Sequence, residues 1–176
     1  MAGSPVAHWP IAAVLAVQLA IVAAVPLRTI ATRATGTEVT LRTRPVDPFD
    51  RLAGYYVTLT YEAEWQRPED NLGAVATGTE LWVTVRRAEP AWEPVSVTRE
   101  RPEAEPDTVS LRARWSGRVE ILNAGRAYIP ETDRDRAEKA MQAVQRRALV
   151  DLRVSAEGDV AVLRMRAGTE VFGEPR

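Results

Sequence analysis

The chain has 176 residues, 23 basic and 24 acidic, with no cysteine and a single histidine, His8. That length builds one soluble domain and excludes a second large one, and the missing residue types exclude thiol catalysis, Cys/His zinc sites and histidine-based triads. A net charge of -1 argues against a nucleic-acid binder, which needs excess cationic groups to displace phosphate counterions.

Charge is absent from the first 27 residues, so all 47 charged side chains fall in the remaining 149. Residues Ile11 to Leu27 are apolar apart from Gln18. As a helix this run covers roughly 25 Å, and adding Trp9, Pro10 and the flank to Ile30 brings it to the thickness of a hydrocarbon core. The first reading is a single membrane anchor over residues 1–30, inserted through residues 9–30. A cleaved signal peptide is the second, since Val22-Ala23-Ala24 offers small residues but no basic stretch precedes the run. A buried core helix is the third. Arg28, Arg33, Arg42 and Arg44 all follow the span and by the positive-inside rule would hold the body in the cytoplasm. Residues 31–36 (ATRATG) are small and polar and read as a short tether.

The body, residues 37–176, is dominated by two-residue alternation, the signature of half-buried strands. Thr37 to Thr43 places Val39 and Leu41 on one face. Pro45-Val46-Asp47-Pro48 then breaks the strand, because each proline removes a ladder donor. From Gly54 to Trp65 the alternation is longest, with Tyr55, Val57, Leu59, Tyr61, Ala63 and Trp65 on the apolar face and Tyr56, Thr58, Thr60, Glu62 and Glu64 opposite. This predicts one long strand, or a strand with a bulge. A polar loop spans Gln66 to Gly78. Strands follow around Leu81-Val83-Val85 and Val95 to Thr98, and Val109 to Trp115 turns at Ser116-Gly117 into a return strand holding Val119 and Ile121.

After Tyr128-Ile129-Pro130-Glu131 the period becomes helical, with Ala137, Met141, Val144 and Ala148 on one stripe. Thr132 with Asp135 is expected to cap this helix as a weak capping box. Leu149 to Ser155 and Val160 to Arg166 form a final hairpin, closed off by Val171-Phe172. The fold class is therefore mainly β, a β-rich α+β chain: an N-terminal transmembrane helix, then an antiparallel β-barrel or sandwich-like domain with one late helix.

Three segments carry a family resemblance. Gly54-Tyr55-Tyr56-Val57-Thr58-Leu59-Thr60-Tyr61 resembles the motif that names the uncharacterised bacterial GDYXXLXY family, at Gly54, Tyr56, Leu59 and Tyr61. Pro45, Asp47 and Pro48 stand in the turn that precedes this motif in the family. Gly125, Tyr128, Pro130 and Glu131 match its later Gly-x-x-Tyr-Phe/Ile-Pro-Glu stretch. One departure is Tyr55, which replaces the motif's aspartate on what reads as the apolar face, where a tyrosine fits better than a carboxylate. The resemblance implies an extracytoplasmic body and an accessory role beside a multi-spanning membrane protein, with no assigned reaction.

The acidic residues near these segments read first as structure. Asp47 lies between prolines in a turn, and Asp133 and Asp135 favour a helix start, as does Glu131. Tyr61 is expected in the core and Tyr56 on the other face. Lys139 has no serine motif to partner as a hydrolase base. No cofactor, metal or nucleic-acid partner is expected. The functional expectation is a non-catalytic, membrane-anchored interaction domain; a small-ligand binder using a barrel interior comes second, and a hydrolase pairing Glu131 with Asp47 comes last.

Overall fold

The apolar leader folds as helix α1 (Trp9–Thr35) in the computed structural model of the chain, which describes residues 9–44, 56–65, 75–145 and 147–173. Pro26 lies inside α1. A mid-helix proline removes one backbone donor and clashes with the carbonyl four residues back. Around it, the halves Ala13–Val22 and Pro26–Thr35 are inclined by 42°. Among the described residues no single helix is long and apolar enough to cross a membrane; the two halves meet that requirement only as a bent pair.

The expected tether is helix. Residues 31–35 extend α1, since alanine and arginine favour the helix and nothing in ATRAT breaks it before Gly36. Gly36 donates its N–H to the Thr32 carbonyl at 2.9 Å and ends the helix. A Cβ there would lie 2.6 Å from that carbonyl oxygen and 2.9 Å from the Val154 oxygen, so helix and sheet meet where only glycine fits.

The body holds strands β1 (Thr37–Arg42), β2 (Tyr56–Thr58), β3 (Glu80–Arg86), β4 (Glu93–Thr98), β5 (Thr108–Trp115), β6 (Val119–Ile121) and β7 (Arg126–Tyr128). Helix α2 (Arg134–Ala143) follows, then β8 (Leu149–Val154), β9 (Val160–Ala167) and β10 (Glu170–Gly173). All pairings among the described residues are antiparallel. One sheet runs β1-β8-β9-β10, a second β4-β3-β5-β6, and β2 with β7 forms a ribbon between them in sequence. The sheets curve into a half-barrel. Inward residues of both make one core, including Val39, Leu41, Val150, Leu152 and Met165 from the first and Leu81, Val83, Leu111 and Ala113 from the second. Where the sheets approach, the Trp92 N–H bonds the Thr40 carbonyl at 2.8 Å and the Arg112 N–H the Gly158 carbonyl at 3.0 Å. Gly158 has a positive φ of 82°, and a Cβ there would lie 2.6 Å from the Trp82 ring.

Three further expectations are corrected. The long strand from Gly54 to Trp65 is, within the described residues, the three-residue β2, an isolated bridge from Tyr61 to Thr43 and a 3-10 turn at Glu62–Trp65. The cause is Glu64, whose carboxylate takes the Tyr61 N–H and closes the turn. Trp65 is consequently exposed while Glu64 is buried, the reverse of the alternation. Secondly, no capping box forms at Thr132. A 3-10 turn, Glu131–Asp133, follows Pro130, and Asp133 caps α2 without a side-chain bond because it pairs with Arg136 at 3.1 Å. Thirdly, Ala148 lies beyond α2. It is buried beside β8 and exchanges hydrogen bonds with Thr43 instead.

Candidate functional site

The matched segments meet in the β2–β7 ribbon. Its register sets Tyr56 opposite Tyr128, Val57 opposite Ala127 and Thr58 opposite Arg126. The contact continues past the strands. The Leu59 N–H bonds the Gly125 carbonyl at 2.9 Å, and the fully buried Tyr61 donates its hydroxyl to the Ala124 carbonyl at 2.9 Å. Glu64 finishes the clasp: one carboxylate oxygen accepts the Tyr61 N–H at 2.9 Å and the other the Ile121 N–H at 2.8 Å, tying the 3-10 turn to β6. Burial raises the Tyr61 pKa well above the usual phenol value, with the Glu64 charge adding to it. Burial also raises the Glu64 pKa, against the two backbone hydrogen bonds that favour its anion.

Leu59, Tyr61 and Gly125 thus hold the fold together rather than face a ligand. Tyr128 is exposed on the outward side of the ribbon, and Glu131 is exposed where the 3-10 turn begins. Gly54, Tyr55, Pro45, Asp47 and Pro48 lie outside the described residues, as does the expected pairing of Glu131 with Asp47. Of Tyr56, the backbone pairing alone is described. Glu64 escaped the sequence reading, although Tyr61-x-x-Glu64 has the three-residue spacing of a capping box, in which a carboxylate reaches back to a backbone N–H.

A second polar arrangement lies on the outward face of the β1-β8-β9 sheet. Register places Thr40 opposite Asp151 and Asp151 opposite Arg164. Asp151, 1% exposed, accepts Thr40 Oγ1 and Arg166 Nη2 on one oxygen, both at 2.7 Å, and Arg164 Nε at 2.5 Å on the other. Burial alone would raise its pKa, but these hydrogen bonds outweigh it and hold the carboxyl below the usual aspartate value. Glu38 joins the cluster by pairing with Arg164 at 3.4 Å and Arg153 at 3.5 Å. Three donors and two guanidinium charges hold Asp151 as an anion inside the sheet face, a structural rather than a general-base arrangement.

The β3–β4 connection folds over this face and leaves an open groove of about 740 Å³. Glu38, Thr40 and Arg166 line it from the sheet, and Arg87, Ala88, Glu89, Pro90 and Trp92 from the connection. The Arg87 guanidinium stands 5.5 Å over the Trp92 ring. Between the sheets, by contrast, core side chains of both pack on one another among the described residues, with Trp115 against them.

Among the described residues, helix α1 bonds to the body near its C-terminal end. Val14, Leu15, Val17, Leu19, Ile21, Val22, Leu27 and Ile30 are all more than half exposed. Thr32 is buried, Arg33 Nη2 donates to the Val162 carbonyl at 3.4 Å, and Arg153 Nη1 donates to the Gly36 carbonyl at 2.8 Å. These contacts join the helix to β8 and β9 without a flexible segment.

A half-barrel of antiparallel strands, locked by a buried tyrosine–glutamate clasp and carrying an apolar helix, defines a β-rich domain in which Leu59, Tyr61 and Gly125 serve the architecture. The chain belongs to the GDYXXLXY protein family, whose model matches residues 18–165, all but the first 17 and last 11 positions. No curated protein and no solved structure matches it.

Proposed function

We infer that the chain is a membrane-anchored, non-catalytic interaction domain, with α1 in the bilayer and the half-barrel held at its surface as an accessory to a multi-spanning membrane protein. The observation that carries this is the state of α1: eight large apolar side chains stand exposed along it while its C-terminal turns are pinned to the sheet. Burying each such side chain is worth about 1.5–3 kcal/mol, so a helix of this kind calls for an apolar surrounding. The bend at Pro26 is tolerated in membrane helices, where local adjustments satisfy the freed backbone groups. An extracytoplasmic body accords with the family resemblance. Arg28 and Arg33 weigh the other way, but long folded segments translocate largely regardless of such charges.

Alkaline extraction of cells expressing the full chain tests the anchor. The protein is expected in the membrane pellet, and recovery in the supernatant would remove the reading. A reporter at the C-terminus tests the side, with cytoplasmic activity counting against the orientation.

A further inference from the structure

We propose that the groove between β1 and the β3–β4 connection is a binding site for an anionic group, a phosphoryl or carboxylate, carried on a planar or apolar body that rests on Trp92. The site lies outside the half-barrel and does not depend on the membrane reading.

Charge on the groove's floor points to an anion. Asp151 and Glu38 together neutralise two of the three guanidinium groups of Arg153, Arg164 and Arg166, leaving one positive charge over. Arg166 reaches both Asp151 and Thr40 through Nη2, and its buried Nε has no hydrogen-bond partner. A buried donor without an acceptor is unfavourable, and here the side chain that carries it lines the groove. Arg87 contributes a second positive charge from the opposite wall, where its guanidinium rests over Trp92 and makes no ion pair among the described residues. Two guanidinium groups facing one cleft match phosphoryl and carboxylate oxygens through charge-assisted hydrogen bonds.

Trp92 supplies the other half of the recognition. Its ring is half-buried against the core, and its backbone N–H bonds the Thr40 carbonyl, which fixes the main chain that carries the ring. A flat apolar body against the part of that ring still in solvent, beside the Arg87 guanidinium, removes further surface from water. Glu89, exposed on the same connection, is the one lining carboxylate with no cationic partner among the described residues. It opposes an anion and sets an upper limit on affinity, and it also supplies a control of opposite sign.

The test is calorimetric titration of the full chain in detergent with phenyl phosphate and with inorganic phosphate. Phenyl phosphate is expected to bind saturably and more tightly than inorganic phosphate, and to weaken as salt rises. Arg87→Ala is expected to weaken it about tenfold, and Glu89→Gln to strengthen it by about twofold or more, both residues being exposed and outside the core. Repeating the titration in nanodiscs separates the sources of the anion. Competition from phosphatidylglycerol would identify a lipid headgroup, and its absence a soluble ligand. No saturable binding of either probe, or wild-type affinity in both variants, overturns the proposal.

Discussion

Glu64 sits 6% exposed with a backbone N–H on each carboxylate oxygen and no cation among its direct contacts. Two acceptors are needed there. Glutamine offers one carbonyl oxygen and turns its amide donors toward the second N–H, so Glu64→Gln is expected to destabilise the fold by about 1–3 kcal/mol in urea unfolding. The pH dependence has a definite sign. Because burial raises the folded pKa, the native state binds more protons than the unfolded chain between the ordinary glutamate value and the raised one, and stability falls as pH rises through that window. The variant lacks this group, so its deficit relative to wild type should widen as pH falls through the same window; a constant gap would mean that Glu64 does not titrate there. Asp151 acts in the opposite sense. Its lowered folded pKa contributes stability above the ordinary aspartate value that is lost as pH falls through the folded value.

At the scale of elements, strands with one face on the core and the other in solvent were plain in the sequence. Leu81-Val83-Val85, Val109 to Trp115 and the final hairpin became β3, β5, β8 and β9 because alternation reports which face is buried. The run from Gly54 to Trp65 alternates as well, yet a side chain from its own polar face folded back to take a backbone donor, an interaction that no periodicity encodes. The α1–β1 junction misled for a related reason, since small polar residues suit both a tether and the last turn of a helix. That junction is open to test. Gly36→Val forces a side chain against the Thr32 and Val154 carbonyl oxygens, so a loss of about 1–3 kcal/mol is expected, with faster hydrogen exchange concentrated in β1 and the end of α1. Exchange unchanged at that junction would show that helix and sheet are not rigidly coupled.

Across the whole molecule, the two four-stranded sheets share one core, and Leu111 stands in it fully buried. Leu111→Ala is expected to cost about 2–5 kcal/mol. Both sheets should melt together, so far-ultraviolet circular dichroism and tryptophan fluorescence should follow one transition; separate transitions would indicate two cores. Composition and periodicity determined, without any structure, an apolar leader followed by a β-rich body and several of its strands, and three short matched segments pointed to the family. Each of those depends on neighbours a few residues apart. Tertiary structure decided which strands pair, that Tyr61 meets Ala124 across 63 positions, and that Thr40 and Asp151, 111 positions apart, share one part-buried hydrogen bond beside the groove. The groove and the long-range half of the clasp were invisible in the chain because their energies belong to contacts that exist only after the sheets have closed on their common core; the local Tyr61–Glu64 bond alone had a signal, in its three-residue spacing.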